Sequence, residues 1–282
     1  MSDRAASHTA LAPAYLRAAH QLLDAEPRIL DDPVTVRLLG NTAAQKIQGE
    51  IERYQSAPAR TLRSHLVLRS RFAEDRLAAA RSRGVTQYVI LGAGFDTFAL
   101  RQPAWAGALK ILEVDHLGTQ TLKRAHIAAA GIPLPANLAF ADIDFEHESL
   151  RDGLLRNGVS PDQPAFFSWL GVTMYLQEAA IDTALQSIAT FPSGSEVVLT
   201  FLQPPESGSE STAMLQLAAR VAGSGEPFVS YFEPEAMAAK LTGAGFTELE
   251  FLLPDAADAR YFKSRPMDLP APRRTGIVSA IR

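Results

Sequence analysis

Short apolar runs alternate with stretches of helical periodicity along most of the chain. Five of the runs, Tyr88–Leu91, Leu109–Val114, Leu138–Ala141, Ala165–Trp169 and Val197–Phe201, are nearly free of polar residues, as strands covered on both faces must be. Between them, helical spacing extends over about Gly118–Ala130, Glu148–Asn157 and Gln177–Thr190. Strand and helix in alternation predict an α/β fold, a parallel sheet with helices on both faces. Upstream, residues from about 12 to 56 read as helices and loops. Tyr15, Leu16, Ala19, Leu22 and Leu23 keep helical spacing until Pro27 and the Asp31-Asp32-Pro33 turn interrupt it. A longer amphipathic helix is expected from about Thr61 to Ser82, with Leu62, Leu66, Phe72 and Leu77 on one side and Gly84 beyond its end.

The last part of the chain changes character. A helix over Pro234–Ala244 stops at Gly245, and two strand-like runs follow, Phe246–Leu253 and Gly276–Ile281, joined by a polar, Pro-rich stretch. Late strands with no crossover helix between them predict an antiparallel pair at one sheet edge. Gln203–Ser211 and Gly223–Pro227 read as surface loops. The organisation expected is an N-terminal helical cap over 1–83 and a Rossmann-like domain over 84–282, packed as one unit.

Composition narrows the chemistry. Hydrophobic content of 47 % with 21 % charged residues is that of an ordinary globular protein. The absence of cysteine excludes disulfides, thiol nucleophiles and Cys-ligated metal sites. A net charge of −4 with scattered basic residues suggests neither a nucleic-acid nor an anionic-membrane partner. Met1–Ala25 carries Asp3, Arg4, Arg17 and Asp24 and no long apolar core. It reads as neither secretory signal nor membrane span, and a cytoplasmic location is expected. His20, His65, His126 and His147 lack metal-ligand spacing, so no metal is expected. No Gly-x-Ser-x-Gly elbow supports a hydrolase. No apolar surface helix indicates an oligomeric state.

The chemistry concentrates at Val89-Ile90-Leu91-Gly92-Ala93-Gly94-Phe95-Asp96-Thr97. An apolar strand runs into a Gly-x-Gly turn, the arrangement that leads into a nucleotide-binding loop and then a helix. The third glycine of the dinucleotide fingerprint is missing, since position 97 is Thr. Asp115 ends the run Ile111-Leu112-Glu113-Val114-Asp115. It lies about twenty residues past the loop, where a carboxylate accepts hydrogen bonds from ribose hydroxyls. The alternative is a solvated strand-end aspartate or a helix N-cap. Glu113 could share the ribose role, but the opposite face is the expectation for it. After the third strand, Asp142-Ile143-Asp144-Phe145 offers a carboxylate for an adenine amino group and an aromatic for its ring. The two aspartates leave that assignment open.

Together with Arg69-x-x-Phe72, Arg101 and Met174-Tyr175-Leu176, these motifs make the chain resemble the leucine carboxyl methyltransferase family, and within it the bacterial S-adenosylmethionine-dependent O-methyltransferases. The likeness runs from the Asp32-Pro33 turn to Tyr261-Phe262. It implies a class I methyltransferase fold: a mostly parallel seven-stranded sheet with an antiparallel C-terminal pair and a helical cap. By the resemblance, Arg69 would hold the carboxylate of S-adenosyl-L-methionine. The Gly92-Ala93-Gly94 turn would face its methionine portion, Asp115 its ribose, and Asp144 with Phe145 its adenine. Leu170 falls among the cofactor-binding positions too, but family members often carry Glu there, and one polar contact to the cofactor's amino end is lost. Tyr175 is the candidate to face the methyl-transfer centre, with ordinary packing as its alternative. Trp169 reads first as core.

The activity so implied is methyl transfer to an oxygen of a small-molecule acceptor. A carboxylate acceptor needs no base, whereas a hydroxyl wants one, and no residue commits to that role. Two other readings remain: a nicotinamide-dependent oxidoreductase, disfavoured by Thr97 and the terminal strand pair, and a non-catalytic module that keeps the pocket.

Overall fold

In the computed structural model, which describes residues 8–144, 148–205 and 226–282, the apolar runs form strands close to the expected limits. They are β1 (Gln87–Leu91), β2 (Lys110–Asp115), β3 (Leu138–Asp142), β4 (Ala165–Trp169) and β5 (Glu196–Thr200). The late runs become β6 (Glu248–Phe251) and β7 (Ile277–Ile281). One seven-stranded sheet results, in the order β3-β2-β1-β4-β5-β7-β6. β1 to β5 are parallel neighbours, while β7 runs antiparallel to both β5 and β6. The expected antiparallel pair is present, with β7 rather than β6 next to the parallel strands.

Strand alternation sorts the core into two layers. On one face Val89, Leu112, Phe167, Val197 and Val278 pack with α7 (Leu150–Arg156), α8 (Glu178–Ala189) and α9 (Pro234–Ala244). On the other, Tyr88, Ile90, Ile111, Phe166 and Val198 meet Val67, Leu68, Phe72 and Leu77 of α5 (Ala57–Ser82). α5 begins four residues earlier than the periodicity suggests, because Pro58 sits in its first turn, where no N–H is missed. Two connections differ from expectation. No α-helix follows the Gly-x-Gly turn; two 3-10 turns, Phe98–Leu100 and Ala104–Ala108, lead to β2, and their Phe98, Ala99 and Ala106 pack beneath α5. The polar stretch after β6 includes a short helix, α10 (Pro254–Ala257), running on into a π-turn over Asp258–Phe262. Positions 206–225, where parts of both surface-loop expectations fall, lie outside the described residues, as does the Phe145–His147 stretch.

The N-terminal segment folds as α1 (His8–Leu23), α2 (Pro33–Leu39), α3 (Asn41–Gly49) and α4 (Ile51–Gln55) ahead of α5. Ala14, Ala18, Leu38 and Ile47 share a third apolar cluster with Phe95, from the loop after β1, and Ile127, from α6 (Leu117–Ala129). Buried charges tie these helices down. Arg63 grips Asp24 through two bonds of 2.7 and 2.6 Å and donates to the Tyr54 carbonyl at 2.8 Å. His20 also meets Asp24, at 2.8 Å. Burial works to raise the Asp24 carboxyl, but its bonds to His20 and Arg63 outweigh that and hold it below the usual value. At the other end of α5, Arg76 reaches buried Glu196 of β5 at 2.6 Å and Glu250 of β6 at 2.8 Å.

Asp32 makes the tightest connection between the helices and the loop after β1. Its carboxylate is fully buried. It caps α2 by accepting from Thr35 N at 3.1 Å and takes the Thr97 hydroxyl at 2.7 Å. Arg101 Nε lies 3.2 Å away and Arg17 Nε 3.6 Å. Asp32→Asn keeps an acceptor for the cap but leaves two buried cations short of a counter-charge. We expect it to cost about 3 kcal/mol in urea unfolding at neutral pH. A loss below about 0.5 kcal/mol, the range of ordinary surface changes, would show that Asp32 does not bind the two parts together.

Candidate functional site

The loop after β1, the end of β2 and the loop after β4 meet at the carboxyl edge of the parallel strands, where open α/β sheets place their ligand crevices. Gly92 and Gly94 both have positive φ, 64° and 49°, a backbone shape that a side chain would strain. A Cβ on Gly92 would fall 2.3 Å from Val172 Cγ2, so the two loops touch there. At Gly94 the nearest atom to such a Cβ is Ala10 Cβ at 3.7 Å, which places α1 above the turn. Ala93 N is committed to the Val114 carbonyl at 3.0 Å.

Asp115 sits beside this turn. One carboxylate oxygen accepts from Gly94 N at 2.6 Å and the other from His116 N at 2.8 Å. Burial pushes its carboxyl up, and the two N–H donors pull against that. The expectation for Glu113 needs correction. Residues two apart on a strand share a face, and Glu113 lies on the Asp115 side, fully buried. Its charge is met by Lys123 of α6, which donates to Oε2. His116 is the N-cap residue of α6, without a side-chain capping bond.

The two aspartates after β3 separate in the structure. Asp142 ends the strand and accepts from Leu117 N at 3.1 Å, capping α6. Asp144 stands half-buried two residues further on, while Phe145 lies outside the described residues. Leu117 is a residue that sequence reasoning missed. It is 60 % exposed beside Asp115, and only the turn of the chain into α6 reveals its position.

Arg69 reaches the site from α5. Gly171, with φ of 78°, lets the guanidinium lie directly over its backbone: a Cβ there would be 2.6 Å from Nη1 and 2.8 Å from Nη2. Burial and the nearby Arg17 guanidinium lower Arg69 to about 10, so it stays charged at neutral pH. Asp96 and Tyr175 act on it in the opposite direction. Arg69 forms no ion pair or hydrogen bond among the described residues. Arg17, whose position gave no local signal, donates to the Phe95 carbonyl and so braces the turn from α1.

The loop after β4 is held from behind. Gly171 N donates to Thr200 Oγ1 at 2.7 Å and Thr173 Oγ1 to the Thr200 carbonyl at 2.6 Å. Leu170 is half-buried against the α5 layer. Trp169 is core, as expected, though its buried Nε1 has no hydrogen-bond partner among the described residues. Tyr175 packs against Phe228, ring centroids 5.4 Å apart. Phe232 is buried in the sheet core. Among the described residues no three His, Asp or Glu side chains converge as metal ligands would, and no helix is long and apolar enough to cross a membrane.

Comparison with known proteins fits this arrangement. A candidate S-adenosyl-L-methionine-dependent methyltransferase of Bacillus subtilis, YktD, is 28 % identical over 305 aligned positions that cover all of both chains. One of the same description from Mycobacterium marinum is 31 % identical over 195 positions, 65 % of this chain and 63 % of that protein. Among solved structures, a candidate methyltransferase from Thermobifida fusca superposes with a TM-score of 0.57 at 17 % identity, covering 87 % of this chain and 91 % of that one. A DUF574 family protein from Streptomyces avermitilis superposes at 0.56 with 16 % identity, covering 98 % and 97 %. At such identities the likeness is one of fold, here the class I methyltransferase fold. Residues 10–189 match the family model described as leucine carboxyl methyltransferase, and the chain belongs to that family.

Proposed function

We propose that the protein transfers a methyl group from S-adenosyl-L-methionine to an oxygen of a small-molecule acceptor, a carboxylate or a hydroxyl. Family membership and the relatives' descriptions support methyltransferase activity with this cofactor. The observation that carries the assignment to this cleft is Arg69, a guanidinium with no counter-ion among the described residues, laid over the bare backbone of Gly171. A planar fork of that kind suits a carboxylate. The donor set fits the cofactor elsewhere too: the small residues Gly92, Ala93 and Gly94 let the turn come close, although Ala93 N and Gly94 N are committed to Val114 and Asp115, and Asp115 offers lone pairs beyond those its two N–H donors use.

In this reading Arg69 holds the cofactor's carboxylate, Asp115 the ribose hydroxyls and Asp144 the adenine amino group. Phe145 and Leu117 would flank the adenine ring, and Leu170 and Tyr175 wall the methionine end. Residues 1–83 form the cap and 84–282 the cofactor-binding part, packed as one unit. When bound, the cofactor supplies an electrophilic methyl on a sulfonium sulfur. The protein's task is then to orient the acceptor and keep water out. An acceptor that is already ionised, such as a carboxylate, needs no base, whereas a hydroxyl would want one.

Calorimetry tests the reading. S-adenosylhomocysteine should bind the wild-type chain and NAD should not; the reverse result would assign the cleft to an oxidoreductase. Asp115→Ala should weaken S-adenosylhomocysteine by roughly 2–4 kcal/mol, the worth of a charge-assisted pair of hydrogen bonds. Unchanged affinity in a folded variant would sink the ribose assignment.

A further inference from the structure

His65 lies one helical turn before Arg69 on α5 and shares its face. Long helical side chains lean back over the turn that precedes them, so the arm of Arg69 extends toward the turn bearing His65. The intervening residues are occupied elsewhere: Ser64 donates to the Pro270 carbonyl at 2.6 Å, and Leu66, Val67 and Leu68 are buried. His65 and Arg69 are different. Each keeps part of its surface while enclosed by protein, and neither forms a hydrogen bond or ion pair among the described residues. Arg17 from α1, Asp96 from the turn after β1 and Tyr175 from the loop after β4 also act on Arg69. Arg17 has Asp32 beside it at 3.6 Å, whereas Arg69 feels Asp96 without forming an ion pair with it.

We propose that His65 is a second anchor for the carboxylate of the cofactor's methionine moiety, donating an imidazole N–H beside the Arg69 guanidinium. This rests on the reading of the cleft as the S-adenosyl-L-methionine site. Burial and the charge of Arg69 lower His65 to about 3, so the ring is neutral at pH 7. An arriving carboxylate cancels the repulsion from Arg69 and adds an attraction of its own. The neutral ring needs no change of protonation to donate its N–H.

The test is calorimetry on the full chain with two ligands, S-adenosylhomocysteine and 5′-methylthioadenosine, which lacks the amino-acid carboxylate. His65→Leu should weaken S-adenosylhomocysteine about tenfold or more, in line with a hydrogen bond to a charged group, and leave methylthioadenosine unchanged. His65→Gln, which keeps a donor, should stay within about threefold of wild type. His65→Ala carries the test if the leucine variant does not fold, with the same selective loss of S-adenosylhomocysteine expected. Equal affinity of wild type and His65→Leu, or equal losses for both ligands, overturns the inference while the proposed function stands. A wild-type chain that binds neither ligand overturns both.

Discussion

Asp32 is a carboxylate with no access to water and four neighbours drawn from three parts of the chain. Its desolvation is unfavourable unless all those neighbours are in place. The turn ahead of α2, the helix α1 and the loop after β1 are therefore fixed relative to one another as a set. The Gly-x-Gly turn inherits its shape from this arrangement. Thr97 stands where a dinucleotide site would have glycine, because its hydroxyl is what Asp32 holds. Arg101 extends the set to α5 through two bonds to Glu74.

α5 carries the consequence across the molecule. At one end Arg63 closes on Asp24, at the other Arg76 closes on Glu196 and Glu250, and between them the helix lies in the core of the sheet. Each of those charges has a partner. Arg69 is built into the same helix and has none among the described residues, so the fold spends its counter-charges on holding the rod and leaves one cation facing the carboxyl edge of the strands. A methyltransferase that binds a zwitterionic cofactor gains from a cation that needs no rearrangement to accept a carboxylate.

Much of this was legible in the residues. Apolar runs set the strands to within a residue or two, and the distance from the glycine turn to Asp115 put a carboxylate where the turn needs one. One local rule was outweighed by tertiary structure. The segment after Gly94 reads as the start of a helix, yet α5 already covers that face, and the chain passes beneath it in 3-10 turns. Glu113 simply follows the period of two, which puts it on the Asp115 side to meet Lys123. Asp142 and Asp144 look alike in the sequence, and only the fold shows that Asp142 accepts from Leu117 N at the start of α6. Arg17 and Gly171 carry no sequence signal for what they do, since their contacts join parts of the chain far apart in order.

The place of β7 also bears on how the molecule is made. It lies between β5 and β6, yet it follows both in sequence. During synthesis β5 therefore waits with one row of backbone donors and acceptors unpaired, the condition in which nascent sheets recruit the wrong strand. Glu196, at the head of β5, is a charged residue on that waiting edge, and a charge there discourages a stray neighbour. Once β7 arrives, Ser279 donates to the same carboxylate at 2.6 Å, and the residue that guarded the open edge becomes part of the lock that closes it.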